Sequence, residues 1–170
     1  RDRRPAFHYD AVSGVVRQSY PRMWMLGGGF KGAAGANVYR GEIAFYHTED
    51  TEGKDAGVQN ASLKYLLGLD KTLGGNKNAS VQFGQEHFMD YGAYYASLPQ
   101  GAPSMKKAQT FASIRLSDMW KYQTIKPKIF LLYNFSERDY FVNGEYERSL
   151  SDDLTAAFGI NLFGGKKPHT

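Results

Sequence analysis

The chain has 170 residues, enough for one domain with a sizeable buried surface, and it carries a formal net charge of +4 and no cysteine. The missing thiols exclude a disulfide framework and a thiolate metal site, and the small basic excess, without a Lys/Arg stripe interleaved with stacking rings, argues against nucleic-acid binding. No run of 18 apolar residues occurs, so no transmembrane helix is predicted, whereas 19 Gly, 12 Tyr and 11 Phe against 6 Pro suit short strands, tight turns and interfacial rings.

In chain order, Arg1-Asp2-Arg3-Arg4-Pro5 is followed by no apolar signal-peptide core, which fits either a removed signal or an internal fragment. A weak strand pattern spans 7–17. Clearer period-2 alternation then marks eight strands, at 22–31, 37–48, 62–72, 79–90, 107–117, 122–135, 139–149 and 154–164. Each has about the ~9–11 residues that a tilted strand needs to cross hydrocarbon. Gly-, Asn-, Asp- and Ser-rich turns join them, and two connections are long, Glu49–Ala61 and Tyr91–Lys106. No helical period competes. Gly27-Gly28-Gly29 falls inside the first of the eight strands with no helix after it, so it reads as relief of crowding or a site of curvature, not as a phosphate loop. Pro127 inside the sixth suggests a bulge or a locally open pairing.

Alternate turns lie on one side of an up-and-down sheet, and both long connections fall on the same side. Outer-membrane barrels have short periplasmic turns and longer extracellular loops. Under that mapping the last strand runs outward and would need one more to return, so the chain is expected to be a C-terminal part of a larger barrel. The expected fold is therefore an all-β antiparallel up-and-down transmembrane β-barrel, with about 8–10 strands over a single domain, 1–170.

Alternation also sorts side chains. Arg40, Glu42, Lys64, Asp70, Gln82, Glu86, Arg115, Lys126, Lys128, Glu145 and Glu147 share the polar side and are candidates for a pore lining. Ile43, Phe45, Leu67, Phe83, Ile129, Leu131, Phe158 and Ile160 share the apolar side and are candidates for contact with lipid. In a soluble sheet these two sides would exchange roles. Three features favour the membrane: rings near strand ends, such as Tyr39, Tyr91, Tyr94, Tyr95, Trp120, Tyr122 and Tyr140; both signs of charge on the polar side; and small residues recurring there. The charged lining is either a selective pore or a network of paired charges filling a narrow barrel.

The stretches YPRMWMLGGGF (20–30), YRGEIAFYH (39–47), YLLGLDKTLGG (65–75), VQFGQEH (81–87) and LTAAFGINLFGG (154–165) resemble a proteobacterial outer-membrane β-barrel family of porin-like architecture, classed as a domain of unknown function. The resemblance implies a bacterial outer-membrane location and passage or export of small or lipidic molecules. It implies no catalytic residue. In that family a final aromatic-ended strand follows the last of these stretches, and this sequence stops before it.

His87 after Gln85-Glu86 would need a nucleophile and an orienting carboxylate to act as a rim base, and an interfacial histidine is the preferred reading. His8, His47 and His169 show no metal spacing. The Asn60 and Asn78 triplets match glycosylation acceptors by chance. Lys54, Lys106, Lys107, Lys166 and Lys167 are either contacts for lipopolysaccharide phosphates or solvated loop lysines. The expected function is a non-enzymatic, porin-like transport barrel for small polar or amphiphilic solutes, in contact with outer-membrane lipid and lipopolysaccharide, without cofactor, metal or nucleic acid. The alternatives are a non-conducting scaffold barrel around a periplasmic or outer-membrane protein partner, and a soluble lipocalin-like carrier.

Overall fold

The computed structural model describes residues 6–10, 14–55, 57–102 and 104–166, with the backbone alone for 6–10. The strands are β1 (Ala6–Asp10), β2 (Val15–Ser19), β3 (Met23–Ala34), β4 (Asn37–Thr48), β5 (Ser62–Gly74), β6 (Lys77–Phe88), β7 (Ala108–Ser117), β8 (Ile125–Asn134), β9 (Asp139–Ser149) and β10 (Thr155–Gly165), with one helix, α1 (Tyr91–Ser97). β3 to β10 form one antiparallel sheet in which sequence neighbours are spatial neighbours, in the order β10-β9-β8-β7-β6-β5-β4-β3. This is the up-and-down arrangement that alternating 10–13-residue strands and short turns dictate. The ladder ends at β3 on one side and at β10 on the other, so the sheet is not closed into a barrel.

Three local expectations are corrected. The segment 7–17 is not one strand: β1 and β2 pair with each other, Ala6 opposite Ser19 and Asp10 opposite Val15, as a separate two-stranded sheet. Gly14, at φ +66°, supplies the left-handed conformation before the return strand. The long segment after β6 contains α1, which enters from Asp90 in the left-handed region at φ 51°. Of its tyrosines, Tyr94 is buried and Tyr91 donates to the Met105 carbonyl at 2.7 Å, while Tyr95 is exposed. The strand predicted from 122 begins at Ile125, because Lys121, Tyr122 and Gln123 all hold positive φ and turn the chain after Trp120.

Pro127 makes no bulge. The β8–β9 register runs unbroken through Pro127 opposite Tyr146. The Pro127 carbonyl accepts from the Asp118 N–H at 3.1 Å, on the side where the β7 ladder has already stopped at Ser117. The missing N–H therefore costs no bond to β9.

The chain divides into two compact units. The first holds residues 1–28, 43–65 and 86–108, with both long connections. Its core is small: Val58, Ala61, Phe88 and Tyr94 are buried, and Met89 N–H bonds the Ala61 carbonyl at 2.8 Å. Buried Asn60 donates to the Met89 carbonyl at 2.8 Å, which ties one long connection to the other. Trp24, Phe45 and His47 form a ring cluster, with Trp24 5.1 Å from His47 and 5.7 Å from Phe45.

The second unit holds residues 29–42, 66–85 and 109–170, with the turns at 35–36 and 75–76 and the whole of β8 to β10. The glycine run of β3 serves close approach. A Cβ on Gly29 would stand 2.9 Å from the Gly41 carbonyl oxygen and 3.2 Å from Glu42 Cγ. Within the first unit, a Cβ on Gly27 would likewise meet the Ile43 carbonyl oxygen at 3.0 Å. A larger residue at either position would push β3 away from β4.

Candidate functional site

In each unit the charged candidates project to one side of the strands, and all but Glu42 and Arg115 pair there. In the first unit Lys64 Nζ lies 3.1 Å from Glu86 Oε2 and 4.8 Å over the Tyr46 ring. Glu86 Oε1 accepts from Ser62 at 2.9 Å and from Gln59 at 3.3 Å. The adjacent His87 therefore projects to the opposite side of β6, away from this carboxylate.

In the second unit Arg40 Nη2 donates to Asp70 Oδ1 at 2.8 Å and to Ser80 Oγ at 3.1 Å, and Ser80 also donates to Asp70. The Arg40 side chain lies across Gly68, whose added Cβ would meet Arg40 Nε at 2.6 Å. Ser113 Oγ donates to Gln82 Oε1 at 3.4 Å. Register places Lys126 opposite Glu147 and Lys128 opposite Glu145, and both pairs close, at 2.9 and 2.8 Å. Such cross-strand pairing of opposite charges is what two polar alternations in register produce. Glu42 is exposed and has no partner among the described residues. Of the five basic candidates, Arg115 alone has no carboxylate partner among the described residues; it stands 5.5 Å over the Phe130 ring.

The apolar candidates take the other side. Ile43, Leu67, Ile129 and Ile160 are 52–53 % exposed and Phe158 is 73 % exposed; Phe83 is exposed, and Phe45 and Leu131 are half-buried. By contrast, the eight ion-paired side chains are only 16–42 % exposed. The ion-paired residues are thus more covered than most of the apolar candidates opposite them, the inverse of the usual distribution in water. The bare side of the second unit carries an open groove of about 520 Å³, lined by Leu116, Ile129, Tyr146, Phe158 and Ile160. Its cause is Gly144, which faces Ile129 on β8 and Ile160 on β10 and contributes no side chain.

The basic loop positions have mixed surroundings. Lys54 bonds Glu52 at 2.6 Å, and that hydrogen bond, with the carboxylate charge, holds its pKa above the usual lysine value. Lys107 and Lys166 are exposed, while Lys167 and His169 lie outside the described residues. Among the described residues no group of three or more His, Asp or Glu could hold a metal ion, and no helix is long and apolar enough to cross a membrane. Asn60, buried at 3 % exposure, is no acceptor for a glycan.

Alternation did not signal the rings on the charged side. Register places Phe130, Phe141 and Phe163 on the same side as Lys128 and Glu145. The clue lies in the unbroken apolar run Ile129-Phe130-Leu131-Leu132 and in the doublets Phe141-Val142 and Leu162-Phe163, in which every second residue must cross to the polar side. No family model, curated protein or solved structure matches this chain.

Proposed function

We propose that this chain belongs to an outer-membrane β-barrel of the porin-like kind that its strand stretches resemble, and that it passes small polar or amphiphilic solutes. The inverted exposure of the two sides carries this reading. Charged side chains that are paired and covered suit a lumen, and isoleucine, leucine and phenylalanine side chains left bare suit lipid tails. The sheet's free edges at β3 and β10 fit a barrel completed by further pairing, since a long edge strand in water is a template for aggregation. The groove at Gly144 then faces acyl chains.

In this reading the paired charges set a polar, screened wall, and the tight approach of β3 to β4 at Gly27 and Gly29 gives curvature. Planar-bilayer recording on the refolded full chain tests the reading. Stepwise ionic conductance is expected, and its absence under all salt and voltage conditions would sink the pore.

A further inference from the structure

The charged side of β7–β10 carries rings that its charge pattern does not call for. Register places Arg115, Phe130, Asn143 and Asn161 in one cross-strand row. The next row holds Ser113, Leu132, Phe141 and Phe163. Phe141 stacks on Phe163 with centroids 4.8 Å apart and meets Phe130 edge-on at 6.2 Å. Phe163 is nonetheless 78 % exposed, so this ring set is an open platform and not a closed core. Asn143 donates to Asn161 at 2.8 Å, which satisfies part of the polar wall between the rings and the ion pairs.

One cation beside the platform lacks an acid partner among the described residues. Lys128 and Lys126 are engaged by Glu145 and Glu147. Arg115 is exposed, rests on Phe130 and faces no carboxylate among the described residues. A guanidinium in that position offers its planar fork to an incoming anion, and a ring beneath it keeps it from collapsing onto a neighbour.

We propose that Arg115 and the Phe130–Phe141–Phe163 platform form a binding site for an amphiphilic monocarboxylate. The guanidinium takes the carboxylate and the rings take an aromatic or alkyl tail. At the Arg115 end charge complementarity selects an anion, because Glu145 and Glu147 are already paired with lysines, while the exposed Asp139 lies at the far end, one row beyond Phe141. The site stands on strand register, and its role in solute passage and its assay in lipid rest on the outer-membrane reading.

The test uses the full chain in lipid nanodiscs, titrated calorimetrically with 4-phenylbutyrate and with its neutral counterpart 4-phenyl-1-butanol. The carboxylate is expected to bind about tenfold tighter than the alcohol or better, as a charge-assisted bidentate contact gives. Arg115→Gln should erase that difference while Arg115→Lys keeps part of it. Phe163→Leu should weaken both ligands by a similar factor. Equal binding of acid and alcohol to the unaltered protein overturns the site, and so does a difference that survives in a folded Arg115→Gln variant. Conductance recorded in parallel separates the two claims. A silent protein with Arg115-dependent binding keeps the site and loses the pore; a conducting protein without it keeps the pore and loses the site.

Discussion

Ile129→Lys is expected to destabilise the lipid-inserted protein by about 2–4 kcal/mol, the range for a lysine on the lipid side of a barrel near the bilayer midplane. Ile129 sits midway along β8, a strand flanked by β7 and β9, and no charged residue stands opposite it: Leu116 is its partner on β7 and Gly144 its partner on β9. It is 52 % exposed within the chain. In a soluble sheet, a half-exposed isoleucine changed to lysine would alter stability by roughly 0.5 kcal/mol or less in either direction. The two environments thus predict effects several-fold apart for one substitution. Urea titration of the protein folded into liposomes measures the difference, with Asn143→Lys on the opposite side as the comparison.

Arg40→Ala should have the next largest effect. One guanidinium group serves Asp70 and Ser80 and also covers Gly68. Removing it leaves Asp70 without its cation and bares β5 backbone. Breaking a fully buried pair costs about 3–5 kcal/mol. Here the two side chains are 30 % and 34 % exposed, so solvent screening reduces the expected loss to about 1–3 kcal/mol. A double-mutant cycle with Asp70→Ala isolates the pair. Strict additivity of the two single changes would show that the pair contributes nothing and that Arg40 acts through Ser80 and by covering Gly68. Because the cluster stands on the charged side, the variant is also expected to change unitary conductance.

The contrast between these two residues follows the limits of what alternation encodes. Period 2 determines which side a residue takes, so the eight strands of the sheet and the separation of Arg40 from Ile43 were legible in the sequence. Partners were not. Lys128 meets Glu145 because the turn at 135–138 sets the β8–β9 register, and that turn's geometry is not written in the charges themselves. Helix α1 escaped because seven residues with a central Tyr-Tyr pair hold too little sequence for a 3.6-residue stripe. The segment 7–17 escaped because two five-residue strands with a bend at Gly14 leave the same composition as one longer strand. At the candidate site, Arg115 was visible as a polar-side residue. Its platform was hidden, because rings on a polar side look like noise in an alternating pattern until register aligns Phe130, Phe141 and Phe163 across three strands.

The central claim is that the bare apolar side meets lipid and the charged side meets water. The chain has no native cysteine, so single cysteines at Ile129 and Asn143 place one fluorophore on each side of neighbouring strands. In liposomes, nitroxides on the acyl chains should quench the label at 129 and leave that at 143 bright, while aqueous iodide should do the reverse. Iodide quenching at 129 without quenching by lipid would contradict the account.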